Sequence, residues 1–203
     1  MIIYENPELI LASKSPRRKY LLEAAGLKVK VIPSNIDESE FQLTTPRSYV
    51  KMLSQAKAQD ISDQNSDSWV LGADTIVVIN DLVLGKPKDK DQARRMLQTL
   101  SDRRHQVFTG FTLSHHIKKE RFTDVVATDV YFKQLSADEI DWYIATGEPF
   151  DKAGAYAIQG VGSFIVKKIN GSYTNVVGLP LCEVVEFLIQ KGISQKKFNV
   201  ANS

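Results

Sequence analysis

The chain of 203 residues suits one medium-sized domain, and its 43% hydrophobic and 25% charged residues are ordinary for a globular protein. A formal net charge of +2 gives no reason to expect nucleic-acid binding through bulk electrostatics, so an anionic ligand requires a local cluster of cations. No apolar run approaches the ~20 residues of a membrane span and no signal peptide is recognisable, so we expect a cytoplasmic protein without membrane contact.

The first part of the chain is predicted to form a strand–helix–strand unit. A short buried strand spans about residues 8–13. A helix follows, with Ser15 suited to the N-cap and Pro16 to the first helical position. Gly26 ends this helix, and residues 28–34 alternate as a strand does. This order of elements indicates an α/β fold.

The middle of the chain combines helices with strongly apolar strands. One helix is predicted over residues 44–62 and an amphipathic one over residues 89–102. Between them, WVLGADTIVVI (69–79) is the most apolar strand-like run, which predicts a place at the centre of the sheet. Asn80 and Asp81 are typical of the hairpin turn that follows.

Two long β-rich runs, 105–114 and 121–135, are predicted to pair antiparallel. The polar tip between them carries His115 and His116, which we expect to face solvent. The run 105–114 also offers an edge through which a homodimer would form, and the dimer is a prediction of the sequence without further support.

The last part of the chain is predicted to contain two helices and one hairpin. Ser136 and Glu139 form a capping box at the start of the first helix. Asn170-Gly171 predicts a hairpin turn, and the final helix carries Cys182, the only cysteine, which we expect to be buried. The whole chain, 1–203, is predicted as one domain with a polar tail from about residue 193.

The segment LASKSPRR (11–18) is typical of an anion-binding site. Ser13 and Ser15 provide hydroxyl groups where a helix begins with exposed N–H groups. Arg17 and Arg18 stand in the first turn, where the helix dipole disfavours cations, and a bound anion would offset that cost. A solvated helix start with ordinary surface arginines is the alternative.

Asp74 interrupts an apolar strand, where a carboxylate is costly unless it is paired or binds a cation. A structural salt bridge and a functional role are equally open from this observation. Thr75 points to the opposite face if the strand is regular. A site that uses both side chains therefore requires a bend, which the neighbouring Gly72 would permit.

Two further segments are weak indications when taken alone. Lys86 lies between a glycine and a proline in a turn. In DKAGAYAIQG (151–160), the amide of Gln159 offers both a donor and an acceptor to a base edge.

These segments, in this order, resemble the Maf family of nucleotide pyrophosphatases over roughly residues 8–190. The match includes LASKSPRRKYLL, Glu38, Lys57, GADT, GKP, DKAGAYAIQG and GSYTNVVGLPL. The resemblance implies an α/β fold with a mixed twisted sheet, flanking helices and two lobes around a deep cleft, as in inosine triphosphatase-like proteins.

The resemblance also implies an activity and its residues. The expected reaction is hydrolysis of a nucleoside triphosphate between the α and β phosphates, with a divalent cation, Mg²⁺ or Mn²⁺. Asp74 matches the proposed catalytic base, and Glu38 and Asp74 match the metal site. The substrate-binding positions of the family correspond to Ser13, Ser15, Arg17, Arg18, Lys57, Thr75, Lys86 and Gln159.

Three of these residues indicate the substrate. Arg17, Thr75 and Gln159 resemble the family branch that acts on dTTP and UTP rather than the branch that acts on 7-methyl-GTP. Ala157 departs from the glycine that is frequent at its position. A non-catalytic nucleotide- or nucleic-acid-binding regulator of cell division and a purine-directed triphosphatase are the alternatives.

Overall fold

A computed structural model describes residues 2–5 and 9–198 and has the expected mixed α/β fold. The strands are β1 (Ile2–Glu5), β2 (Leu9–Leu11), β3 (Val29–Val31), β4 (Val70–Ile79), β5 (Leu82–Leu84), β6 (Arg104–His115), β7 (Glu120–Phe132), β8 (Val166–Asn170) and β9 (Gln195–Phe198). The helices are α1 (Pro16–Ala24), α2 (Pro46–Gln64), α3 (Lys90–Leu100), α4 (Ala137–Ala145), α5 (Tyr173–Val177) and α6 (Leu181–Gln190).

Seven strands form a mixed sheet in the order β3-β2-β4-β6-β7-β8, with β5 paired to β4. β2 is parallel to β3 and to β4, which confirms the predicted strand–helix–strand unit. β4 pairs antiparallel with β5, and β7 with β8. β6 and β7 are neighbours joined by residues 116–119, a connection too short for a parallel crossover. The apolar run of β4 lies inside the sheet, as its sequence predicted.

The helix boundaries follow the capping residues. Ser15 and Thr45 accept hydrogen bonds from backbone N–H groups in the first turns of α1 and α2. The capping box of Ser136 and Glu139 is present at the start of α4. Gly26 follows α1 in the left-handed conformation, with φ of 82°, a value that costs glycine little. These local rules explain why the predicted helices are close to the observed ones.

The chain divides into two units, each with its own core. Unit 1 comprises Met1–Asp74, Gly110–Val125 and Gly178–Ser203, and unit 2 comprises Thr75–Thr109 and Val126–Val177. In unit 2, one apolar cluster includes the large, fully buried side chains of Leu97, Leu100, Tyr143 and Ile165. A smaller cluster in unit 1 contains Ile10, Ala12, Ile61 and Val70. The single domain and the deep cleft of the sequence analysis stay predictions.

Two burial predictions are wrong. His115 ends β6 on its buried side, 3% exposed, with its ring edge-on to Trp69 at 5.2 Å between ring centres. Cys182 is exposed because α6 buries another face. The residues of that buried face recur with the period of a helix. Cys182 stands two positions before the first of them, which places it on another side of the helix. The residues of the buried face are Val184, Phe187 and Leu188.

Three predictions about strands and the tail also need correction. Asn170-Gly171 is not a hairpin turn, because β8 pairs with the earlier strand β7 and α5 follows it. β6 lies between β4 and β7 and offers no edge, so the predicted homodimer loses the surface proposed for it. The predicted polar tail contains β9, which pairs antiparallel with β1, while residues 199–203 lie outside the described residues. Among the helices of the described chain, none combines the length and apolar character that a bilayer crossing requires.

Two glycines allow α2 to lie directly on the sheet. A Cβ at Gly72 on β4 would lie 2.4 Å from the carbonyl oxygen of Ser54 and 2.6 Å from the amide nitrogen of Ala58. A Cβ at Gly110 on β6 would lie 2.4 Å from the carbonyl oxygen of Val50. All three contacted residues belong to α2, so no larger side chain fits without moving this helix.

Replacement of Gly72 by alanine tests this packing. Because the new methyl group meets helix backbone, we expect Gly72→Ala to lower the free energy of unfolding by about 1–3 kcal/mol, measured by urea denaturation. Gly85→Ala is the matched control, since a Cβ there has no atom within 4 Å. Equal stability of the two variants would contradict the close approach.

A buried imidazole in unit 2 makes stability depend on pH. His105 is 1% exposed, and its Nε2 shares a hydrogen bond of 2.8 Å with the hydroxyl of Tyr156. Its ring packs edge-on against Phe132 and Tyr156. Burial lowers the pKa of His105 to about 4, from an ordinary value near 6.5. The folded protein therefore holds this side chain neutral at pH 5, whereas the unfolded chain protonates it.

We expect a stability difference that grows as the pH falls. The unfolded state binds the extra proton between pH 6.5 and about 4, so stability is full above pH 6.5 and is lost below it. Between pH 7 and pH 5, wild type should lose about 2 kcal/mol more than His105→Gln, measured by urea denaturation at both pH values. Equal losses in the two proteins would show that burial does not hold His105 neutral.

Candidate active site

The turn between β2 and α1 places two hydroxyl groups at the start of the helix. The Ser13 Oγ accepts hydrogen bonds from the backbone N–H of Ser15 at 3.2 Å and from Arg18 Nη1 at 2.9 Å. The Ser15 Oγ caps α1 by accepting from the backbone N–H of Arg18 at 3.5 Å. None of these bonds uses the hydrogen of either hydroxyl, so each hydroxyl keeps a donor for an anion.

Arg18 is buried and binds protein acceptors, which the sequence analysis did not foresee. Its guanidinium donates from Nε to the carbonyl oxygen of Gly178 at 2.8 Å and from Nη1 to that of Ala73 at 2.9 Å. Burial lowers the pKa of Arg18, the Asp74 carboxylate opposes this shift, and the neighbouring charge of Arg17 adds to it. Arg18 therefore fixes the backbone beside Asp74 in addition to any role in binding a ligand.

Lys57 joins two of the predicted acidic residues. It projects from α2, is 9% exposed, and places its Nζ 2.7 Å from Asp74 Oδ1 and 2.7 Å from Glu38 Oε1. Burial raises the pKa of the Asp74 carboxyl, while the charges of Lys57 and Arg18 oppose this rise. Asp74 is thus a buried carboxylate near two cations, Lys57 and Arg18. It forms the salt bridge that was one of the two alternatives from the sequence, and this salt bridge is compatible with a functional role.

Glu38 reaches this cluster from a short turn. The residues Glu38–Glu40 form a single 3₁₀ turn, and Asp37 caps it by accepting from the backbone N–H of Ser39 at 2.9 Å. The Glu38 side chain is 55% exposed, in contrast to the 11% of Asp74. The cluster is therefore accessible to solvent and to ligands on the side of Glu38.

The two carboxylates suit a hard divalent cation. The positive ammonium of Lys57 lies within 2.7 Å of an oxygen of each, so these oxygens already converge on a cation. Among the residues that the structure describes, no three His, Cys, Asp or Glu side chains form a metal-binding group. Mg²⁺ commonly uses one or two carboxylates and completes its shell with water and substrate phosphates. The donor set of Glu38 and Asp74 fits such an ion in the presence of a phosphate ligand.

The sequence analysis missed Tyr49. This half-buried residue stands eight positions before Lys57 on α2, so both project from the same face of the helix. Partial burial and the nearby carboxylates of Asp74 and Glu38 raise the pKa of its phenol. The spacing of eight residues could have indicated Tyr49 once Lys57 was placed in the site.

Thr75 belongs to unit 2 and is held by a chain of hydrogen bonds. Asp74 and Thr75 are neighbours on the continuous strand β4. Thr75 and Thr109 share a hydrogen bond between their hydroxyls at 2.9 Å, and Thr109 donates to the carbonyl oxygen of Asn175 at 3.2 Å. These bonds link the two hydroxyls to the backbone at Asn175.

Gln159 lies in unit 2 on a loop that a hydrogen-bond network around Glu148 shapes. The Glu148 carboxylate accepts from the backbone N–H groups of Val161 at 3.0 Å and Gly162 at 2.9 Å, and from the hydroxyl of Tyr143. This clamp begins two residues after Gln159. Ala157 nearby has no left-handed φ, so alanine fits the backbone without strain.

The structure brings the predicted residues together only in part. One cluster in unit 1 contains Ser13, Ser15, Arg17, Arg18, Glu38, Lys57 and Asp74. Unit 2 carries Thr75 and Gln159 as described, and Lys86 is exposed in the loop between β5 and α3. The assigned roles of these residues stay predictions.

Comparison with known proteins gives one family. The family model described as Maf-like protein matches residues 8–191. A dTTP/UTP pyrophosphatase of Syntrophus aciditrophicus is 51% identical over 185 residues, which cover 91% of this chain and 90% of that protein. Proteins of the same name from Geotalea uraniireducens and Halalkalibacterium halodurans are 50% and 48% identical, covering 91% and 93% of this chain and 95% and 98% of their own lengths. The chain belongs to the Maf family.

Proposed function

We propose that this chain hydrolyses dTTP and UTP to the nucleoside monophosphate and pyrophosphate, with water attacking the α phosphorus. The names of relatives whose sequences are 48–51% identical to this chain support this reaction. The observation that carries the proposal is the buried carboxylate of Asp74, 2.7 Å from Lys57 and within the field of Arg18. A buried acid among cations is suited to guide water onto a phosphate chain whose charge those cations hold.

The start of α1 would bind the polyphosphate. The hydroxyls of Ser13 and Ser15 have hydrogens to donate, and the helix N-terminus favours negative charge. Arg17 is half-buried beside Arg18 and would pair with phosphate oxygens through its planar guanidinium. Catalysis of phosphoryl transfer depends mostly on such positioning and charge stabilisation. We assign Lys86 to the same task from its family motif.

Asp74 would accept a proton from the attacking water. Burial raises the pKa of its carboxyl, which makes it a stronger base than an exposed aspartate. Lys57 fixes the position of this carboxylate at one oxygen, so the other oxygen has a defined direction toward water. Arg18 holds the adjacent carbonyl of Ala73 and keeps this stretch of β4 in place.

We propose Mg²⁺ or Mn²⁺ as the cofactor, held by Glu38 and Asp74 together with phosphate oxygens of the substrate. Bound there, a divalent ion would neutralise charge that develops on the phosphate during the reaction. Removing divalent ions with a chelator is therefore expected to stop turnover while the folded state persists.

Thr75 and Gln159 would select the base. The hydroxyl of Thr75, held by its hydrogen bond with Thr109, offers both a donor and an acceptor group. Thymine and uracil share an imide N–H flanked by carbonyl oxygens. A hydroxyl acceptor and an amide, which both donates and accepts, are the groups that such an edge requires. Polar groups left unpaired by other bases would disfavour those substrates.

Product analysis tests the reaction itself. The chain is incubated with dTTP, UTP, dCTP, CTP, ATP and GTP, each with Mg²⁺, with Mn²⁺ and with chelator. We expect monophosphate and pyrophosphate from dTTP and UTP only when metal is present. Diphosphate and orthophosphate as products would place cleavage at the wrong bond, and nucleotide binding without any product would favour the regulator of cell division.

Replacement of Asp74 tests the base. Asp74→Asn keeps the shape and its contact with Lys57 but removes the proton acceptor. We expect kcat for dTTP to fall about 10²- to 10⁴-fold, while binding of a non-hydrolysable dTTP analogue, measured by calorimetry, persists. Asp141→Asn is the matched control, since Asp141 is exposed on α4 and pairs with Arg94. Near-wild-type turnover of Asp74→Asn would remove this residue from catalysis.

Replacement of Gln159 tests base selection. The loss of one hydrogen bond to the base should lower kcat/KM for dTTP relative to GTP by about two- to tenfold in Gln159→Ala. The ratio is measured over the same nucleotide panel, with the exposed Gln134→Ala as control. An equal loss for every nucleotide would assign Gln159 a structural role instead.

A further inference from the structure

Unit 2 contains a cavity lined mainly by charged side chains that the proposed reaction does not use. Its volume is about 330 Å³. The lining residues are Asp102, Arg103, Arg104, Tyr131, Phe132, Lys167 and Lys168. Four of them are cations and one is an acid, although the whole chain has a formal charge of only +2. This cavity is therefore a strong local concentration of positive charge.

A hydrogen-bonded backbone presents these cations. After α3 the chain turns through Asp102, whose φ is 56°, and enters β6 at Arg104. The backbone N–H of Asp102 donates to the carbonyl of Lys133 at 3.1 Å, and the N–H of Phe132 donates to the carbonyl of Arg103 at 3.1 Å. On the other side, β8 aligns Lys168 with Tyr131 of β7. The walls of the cavity thus combine the turn before β6 with residues of β6, β7 and β8.

The charges of these cations are only partly compensated. Arg104 pairs with Asp129 at 2.9 Å, and the Lys168 ammonium lies 5.6 Å from the centre of the Tyr131 ring. Within residues 2–5 and 9–198, the side chains of Arg103 and Lys167 have no hydrogen bond or ion pair. Two uncompensated cations beside two others repel each other, and an anion between them would remove that cost.

The position of β8 explains only part of this arrangement. Lysines on a strand at the end of a sheet discourage pairing with another chain, which accounts for Lys167 and Lys168. It does not account for Arg103, which precedes β6, or for Arg104, which begins β6, a strand inside the sheet. The two pairs have in common only the cavity that they line.

The lining indicates which anion would bind. Ligand pockets start at about 300 Å³, so this cavity suits a small molecule. Lys168 already covers the ring of Tyr131, and Phe132 is 2% exposed, so no aromatic face is presented to a base. Guanidinium and ammonium groups together match phosphate oxygens. We propose that this cavity binds a short phosphoanhydride chain, with inorganic pyrophosphate as the smallest ligand.

Calorimetry with pyrophosphate tests the proposal in the whole chain. The test variant combines Arg103→Ala with Lys167→Ala, two exposed side chains outside the reaction. The matched control combines Lys28→Ala with Lys30→Ala, which removes the same charge from exposed positions in unit 1. Exchange of the two cations, Arg103→Lys with Lys167→Arg, keeps the charge. Tripolyphosphate, orthophosphate and sulfate are titrated beside pyrophosphate, and turnover of dTTP is measured for every variant.

We expect wild type and the Lys28/Lys30 control to share one component of pyrophosphate binding. In the Arg103/Lys167 alanine variant, the affinity of this component should fall at least about tenfold. The charge-exchange variant should bind nearly as wild type, and dTTP turnover should stay unchanged. Tighter binding of tripolyphosphate than pyrophosphate would identify a longer chain as the ligand. Equal binding by both alanine variants, or equal affinity for sulfate, would overturn the proposal. Because the readout is binding, its outcome does not depend on whether the chain hydrolyses dTTP.

Discussion

The ammonium group of Lys57, held between the carboxylates of Glu38 and Asp74, is the interaction on which the candidate site depends. A carboxylate as buried as Asp74 requires a cation close by, because the interior does not solvate its charge. Lys57 provides that cation only if α2 lies directly on β4. The absence of side chains at Gly72 and Gly110 permits this approach. The charged state of Asp74 therefore depends on the close packing of α2 against the sheet.

The start of α1 shows how a protein accommodates cations where the helix dipole opposes them. The sequence offers a bound anion as the explanation for both arginines. The structure gives Arg18 three protein acceptors instead, the Ser13 hydroxyl and two backbone carbonyls, so its position needs no ligand. Arg17 is the less buried of the two, and its proposed role is to pair with phosphate oxygens. At least one of the two arginines is therefore part of the structure of the site itself.

Much of the fold follows from local rules. Ser15, Thr45 and Ser136 start helices because their side chains satisfy N–H groups that the helix leaves open. The strand containing Asp74 was placed inside the sheet because its neighbours are apolar on both faces. Cys182 was misplaced because composition, unlike the helical period of α6, does not tell which face is buried.

The candidate site was less accessible to sequence reasoning. Asp74 and the arginines of α1 are recognisable in the sequence because their charges stand in unfavourable positions. Lys57 has no such local signal, and only the family resemblance indicates it. The bond from Arg18 to Gly178 spans 160 positions. Contacts of that separation depend on the path of the whole chain, which no local pattern encodes.

The segmentation of unit 1 has a consequence for how the protein is made. Its three segments are separated by the two that build unit 2, and its last segment starts at Gly178. During synthesis, the carbonyl that accepts from Arg18 Nε is added 160 residues after Arg18 itself. Unit 1 therefore lacks this hydrogen bond until its third segment has been synthesised. A chain that stops before residue 178 lacks this acceptor altogether. The segment from Gly178 onward therefore contributes to the stability of the first segment.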